Sequence, residues 1–140
     1  MAAPTRFIAL LVALPLALGA CGQAAKNSAT DFTGDQKNVA QTVEDLQSFG
    51  RKGDASKICS ELLAPNLVAK IKQASNGTCD KVLKDALSDA DTFELQVQKV
   101  AVNGNTATAT VRSQGGNKDR TDALQLQKIQ DAWKISSLGA

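Results

Sequence analysis

The sequence predicts an α+β domain in which N-terminal helices pack on a curved four-stranded antiparallel sheet. Three observations predict it. From Val39 to Leu87 apolar residues recur at the three- and four-residue spacing of helices. From Phe93 onward the period falls to two, as in half-buried strands. The strand-like runs are joined by short turns, which gives an antiparallel meander.

The 140-residue chain opens with a segment of different character. Residues 1–20 carry a single charged side chain, Arg6, followed by FIALLVALPLAL and then small residues. An apolar run of about a dozen residues suits a secretory signal peptide and falls short of the ~20 needed to cross a bilayer as a helix. Its end, Leu18, Gly19, Ala20 and Cys21, resembles the bacterial lipobox position by position. That resemblance implies cleavage before Cys21, diacylglycerol on its thiol, and anchoring to the cell membrane on the extracytoplasmic face. Two acyl chains hold a protein stably where one is marginal. After the cysteine, GQAAKNSATDFTG has no apolar period, so residues 21–34 are expected to form a flexible tether. The remaining residues, 35–140, suffice for one small domain with a single core.

Val39, Val43, Leu46 and Phe49 mark a first helix over 36–49, with Asp35 placed to cap it and Gly50 to stop it. Asp54 is placed to cap a second helix, striped by Ala55, Ile58, Cys59, Leu62 and Leu63, and Pro65 either ends it or begins the next. Leu67, Val68 and Ile71 suggest a short third helix before the break at Ser75, Asn76 and Gly77. Cys79, Val82, Leu83, Ala86 and Leu87 mark a fourth.

Phe93, Leu95 and Val97 begin the first strand; Val100 and Val102 resume one step out of phase, which predicts a bulge near Lys99. Asn103, Gly104 and Asn105 turn the chain into a second strand over 106–113. Gly115 and Gly116 make the next turn, Thr121 to Gln130 the third strand, and Asp131 with Ala132 the turn into Trp133 to Leu138.

Basic and acidic residues number 16 and 14, so nucleic acid is not an expected partner. Of three cysteines, Cys21 is assigned to lipid, and in an exported protein the remaining Cys59 and Cys79 are expected to form a disulfide. They lie too far apart for a CxxC redox pair. Both fall on the apolar stripes of their helices, so a bridge would clamp helix to helix.

The order of helices, the "GD" of Gly53 and Asp54 before a helix with a cysteine and a Leu pair, the second cysteine, the pattern Val102 to Val111, and the "WKI" of Trp133, Lys134 and Ile135 resemble exported members of the nuclear transport factor 2-like (NTF2-like), or SnoaL-like, superfamily. The resemblance spans most of the chain beyond the tether. It implies a cone, with the sheet wrapped round the helices and often leaving a pocket, and a homodimer formed through the sheet. Phe49, Phe93 and Trp133 are the candidate pocket-lining residues.

Catalytic relatives of this kind use acid, base and phenol or imidazole groups inside the cone. This chain has no histidine and no tyrosine, so no catalytic residue of the family transfers onto it. Glu94 and Asp122 are the strand carboxylates that could act alone, and alternation with apolar neighbours assigns both to the outer face. Asp89, Asp91 and Glu94 lack the ligand count and loop glycine of a calcium loop, and no metal or cofactor is expected. Lys57, Lys70, Lys72, Lys81 and Lys84 interleave with acidic residues and read as a solvated surface. The expected function is a non-catalytic binding role at the cell envelope, toward a small apolar ligand or an envelope protein. A SnoaL-like isomerase or hydrolase using one carboxylate, and an accessory domain of an envelope complex, are the alternatives.

Overall fold

The computed structural model describes residues 28–90, 93–115 and 118–139. The signal segment, Cys21 and residues 22–27 of the expected tether lie outside them. Packed structure begins earlier than residue 35. Ser28 caps a 3-10 turn, Ala29–Asp31, with its hydroxyl accepting from the Thr30 N–H while Asp31 accepts from the Ser28 N–H. Ala29 and Phe32 are buried in the core, and the Ala29 N–H donates to Glu44 Oε1 at 2.6 Å. Residues 28–34, expected as tether, therefore belong to the domain. Two apolar side chains in a polar stretch are enough to dock it.

Helix α1 (Gly34–Lys52) is longer than its apolar pattern suggested. Asp35 sits in its first turn and does not cap it; the N-cap is Thr33. Gly50 does not end it either. The chain turns at Gly53, left-handed with φ 67°, whose N–H returns to the carbonyls of Phe49 and Gly50. Asp54 caps α2 (Ala55–Lys57) as expected, accepting from the Lys57 N–H. The helix continues as a π-helical turn, Ile58–Leu62, closed by Leu63 N–H to Ile58 O. Then come α3 (Pro65–Ser75), with proline in its first turn, and α4 (Cys79–Ser88). Cys59, in the π turn, is bonded to Cys79 at the start of α4, with Cα atoms 6.1 Å apart. The helix-to-helix clamp is thus present.

The sheet has the order β1-β2-β3-β4, all antiparallel: β1 (Glu94–Asn103), β2 (Thr106–Gly115), β3 (Lys118–Ile129) and β4 (Ala132–Leu138). The bulge expected near Lys99 lies between Val97 and Lys99, and a second, unforeseen one separates the pairs Gln125↔Ser137 and Leu126↔Ile135. Bulges increase local twist and bend a strand, and these two lie on opposite sides of the sheet. The last turn is Gln130 and Asp131, both at positive φ, with Ala132 already paired to Ile129; the expected turn was one residue late. Gly115, expected in the preceding turn, is instead the last residue of β2 and pairs with Lys118, while Gly116 lies outside the described residues.

Val39, Val43 and Leu46 of α1 and Ile58, Leu62 and Leu63 pack against Val97, Val111, Leu124, Leu126 and Ile135 on the inner face of the sheet. The outer edges of β1 and β4 are bonded to the helical layer. On β1, Gln47 Oε1 accepts from the Leu95 N–H and Gln36 Nε2 donates to Val100 O. On β4, Thr42 Oγ1 donates to Trp133 O, and the Ala64 N–H donates to Ile135 O at 2.8 Å. The result is the expected cone.

Candidate functional site

The inner face of β3 follows even numbers, because Leu124 and Leu126 are its buried residues. That phase carries Asp122 and Arg120 inward at one end and Lys128 inward at the other. The assignment of Asp122 to the outer face is therefore corrected. Asp122 pairs with Val111, and Arg120 with Ser113, across the β2–β3 ladder. Glu94, by contrast, is turned to the sheet margin, where it accepts from Arg51 of α1 at 2.8 Å.

At the end where β1 and β3 begin and β2 and β4 finish, the cone is open. A cavity of about 350 Å³ is lined there by Leu46, Leu95, Val111, Arg120, Asp122 and Leu124, with Phe93, Leu138 and Gly139. A second cavity of about 190 Å³ lies between the helices and is lined by Leu46, Ile58, Leu63, Leu83, Ala86, Leu87, Ala90, Phe93 and Leu138. The two share Leu46, Phe93 and Leu138 in their walls, so they adjoin as two lobes on either side of these side chains. Leu138, 47% exposed, is the large apolar side chain left open at its mouth. The helix-side lobe presents carbon only. The sheet-side lobe adds one ion pair, Arg120 Nη2 to Asp122 Oδ1 at 3.6 Å.

Phe93 lies between the lobes, and its position is set by Gly50. A Cβ on Gly50 would fall inside the van der Waals envelope of Phe93 Cδ1 and Cε1. The glycine in α1 is a seat for the ring, not a stop signal. Of the three expected lining residues, Phe93 lines both lobes. Phe49 lines neither; it is half-buried on the core, with Lys57 Nζ 5.3 Å from its ring centroid. Trp133 is buried at the opposite, closed end of the cone, so its expected pocket role is corrected to a core one. Sequence reasoning missed Arg120 and the leucines of the mouth. Extending the even phase of Leu124 and Leu126 back along β3 would have found Arg120 and Asp122 together.

At the closed end, Asp35 Oδ1 accepts from Lys128 Nζ at 3.1 Å and from Trp133 Nε1 at 3.4 Å, while Lys128 lies 5.8 Å from the Trp133 ring centroid. These hydrogen bonds, Lys128 first and Trp133 second, hold the Asp35 carboxyl below its ordinary value of 3.8. A depressed folded-state pKa contributes stability above the ordinary carboxylate range, and that stability is lost as pH falls through the folded value. In urea titrations, Asp35→Asn is therefore expected to be less stable than the parent at neutral pH, with the gap closing as pH falls below the ordinary carboxylate value and through the lower folded-state one. A gap that does not change with pH would show that the carboxylate's charge is not what holds this end together. The triad ties α1 to β3 and β4 at this end.

Asp91 of the acidic trio lies outside the described residues, and among those described no helix is long and apolar enough to cross a membrane. The family model described as "Putative lumazine-binding" matches residues 70–137, from α3 to the end of β4. Among solved structures, an NTF2-like protein of unknown function from Shewanella baltica is similar at 16% identity and TM-score 0.53, over 76% of this chain and 94% of that one. A de novo designed NTF2-fold protein is similar at 13% identity and TM-score 0.53, over 76% and 87%. A SEC-C motif containing protein from Rhodopseudomonas palustris is similar at 17% identity and TM-score 0.53, over 81% of each chain. No curated protein matches. At these identities the likeness is one of fold: the chain carries an NTF2-like α+β cone.

Proposed function

We propose that this protein is a lipid-anchored extracytoplasmic binding protein, held to the membrane through Cys21, whose cone takes a small, largely apolar ligand at its open end. The single observation that carries the ligand-binding part is the two-lobed concavity, walled by leucines and Phe93 and left unfilled by the chain's own side chains. Protein interiors rarely leave such space between well-packed elements, and a mainly apolar cleft with few polar groups is the usual form of a small-molecule site. The family description adds support, since it names a small-ligand role. The anchoring part rests on the lipobox resemblance of Leu18 to Cys21.

A hydrophobic fluorescent probe such as N-phenyl-1-naphthylamine tests the first part. Leu87→Trp, which fills the helix-side lobe, is expected to weaken probe binding by about tenfold or more while leaving the thermal midpoint unchanged or raised. Undiminished binding by that variant would remove the cavity from consideration. Incorporation of an alkynyl fatty acid into the parent in its host, and its absence in Cys21→Ala, checks the anchor.

One observation favours a second reading. Asp122 faces the concavity, so a lone carboxylate base is available to a SnoaL-like isomerase or hydrolase. Its pairing with Arg120 occupies that carboxylate, and the chain supplies no histidine or tyrosine to complete the usual set. Binding without turnover is the reading preferred.

A further inference from the structure

We propose that the ligand is a single-chain amphiphile whose polar end carries a positive donor beside a negative acceptor, a zwitterion and not a simple acid or amine. The inference rests on the ligand-binding reading and adds to it the class of ligand. Its basis is the way charge is distributed over the two lobes.

The helix-side lobe is lined by Leu46, Ile58, Leu63, Leu83, Leu87 and Phe93, together with two alanines and Leu138, and offers no hydrogen-bond partner to a ligand. Any polar group placed there would lose its water without replacement. An apolar arm gains from the same walls by burial. The sheet-side lobe adjoins it across Leu46, Phe93 and Leu138, and its charged side chains are Arg120 and Asp122. A ligand that spans both lobes therefore has its tail toward α4 and its head beside this pair.

Arg120 and Asp122 stand 3.6 Å apart, and their side chains are 75% and 28% exposed. Because Asp122 Oδ1 lies 3.6 Å from the guanidinium, a carboxylate bound to Arg120 also feels the Asp122 charge, and part of the attraction is returned as repulsion. An ammonium bound to Asp122 meets the mirror-image penalty from Arg120. A head with both charges on neighbouring groups escapes it: its anion accepts from the guanidinium fork, its cation donates to the carboxylate, and each protein charge keeps a partner. Charge repulsion thereby discriminates against both simpler amphiphiles.

Three probes with one tail separate the cases: N-dodecylglycine, dodecanoate and dodecylamine, each titrated calorimetrically into the folded domain below its micelle concentration. N-dodecylglycine is expected to bind about tenfold tighter than either of the others. Asp122→Asn is expected to raise dodecanoate affinity and Arg120→Gln to raise dodecylamine affinity, each by several-fold, while both lower that of N-dodecylglycine. Dodecanoate binding as tightly as N-dodecylglycine, with no response to Asp122→Asn, would overturn the headgroup assignment while leaving the cavity as a tail-binding site. If none of the three binds, or all bind Leu87→Trp as well as the parent, the ligand-binding reading itself fails.

Discussion

Replacing Cys79 with serine is expected to lower the stability of the domain by about 3 kcal/mol, the chain-entropy value for opening a loop of this length. The bridge between Cys59 and Cys79 spans 20 residues, and α4 has little else to hold it. Cys79 is the buried residue of that helix, while Val82, Leu83 and Leu87 are half-buried. They are half-buried because Leu83 and Leu87 form a wall of the helix-side lobe, with open space in front of them. A helix that lines a cavity forgoes the packing that would otherwise fix it, and here a covalent link supplies the hold. Loss of the bridge should therefore loosen α4 before it loosens the sheet. Hydrogen exchange is expected to rise first over residues 79–88, with probe binding weakened in parallel, and denaturant titration should register the lower midpoint. A midpoint unchanged in Cys79→Ser would mean that the α4 contacts alone hold the helix.

Gly50→Ala is expected to destabilise the domain by about 1–2 kcal/mol, against the sign that helix propensity alone would give. In the interior of a helix the exchange normally stabilises by about 1 kcal/mol. At this position the new methyl group would collide with the Phe93 ring, and overpacking of this kind costs about 1–3 kcal/mol. The ring would have to leave its seat and move into the concavity, so ligand binding should fall along with stability. A double-mutant cycle gives the decisive comparison: in a Phe93→Ala background the same Gly50→Ala change is expected to become stabilising, by about 1 kcal/mol. Stabilisation by Gly50→Ala in the parent would show that Phe93 is not seated on the helix.

These residues also mark where the sequence is legible and where it is not. The α+β order, four strands, the bulge beside Lys99, the Asp54 cap and the inward-facing cysteines follow from local patterns and are found in the structure. Gly50 misleads because glycine has two uses, ending a helix and admitting a neighbour, and the neighbour lies far along the chain. Asp122 misleads for another reason. The apolar residues of β3 include Ala123 and Ile129, which are on the opposite face from Leu124 and Leu126, so the run has no single phase. The inner row is apolar only in its middle; Asp122 ends it at the mouth and Lys128 at the closed end. Trp133 reads equally well as core or pocket wall, since both want a large aromatic, and only the direction of β4 decides between them. The docking of Ala29 and Phe32 is similarly silent, because two apolar residues make no period.

The bonds along the outer edges of β1 and β4 bear on how copies of this protein meet. A strand arriving at a sheet edge adds itself through free main-chain N–H and C=O groups, which is how orderly domains become fibrils. Along β1 such a strand would find Gln36 and Gln47 already bonded to Val100 and Leu95; along β4 it would find Thr42 and Ala64 on Trp133 and Ile135. In-plane growth of the sheet is obstructed at both ends by residues of its own helical layer. What these bonds leave open to solvent is the outer face of the meander, where Gln125 and Gln127 stand exposed. A strand could join the sheet at either edge only by displacing these bonds.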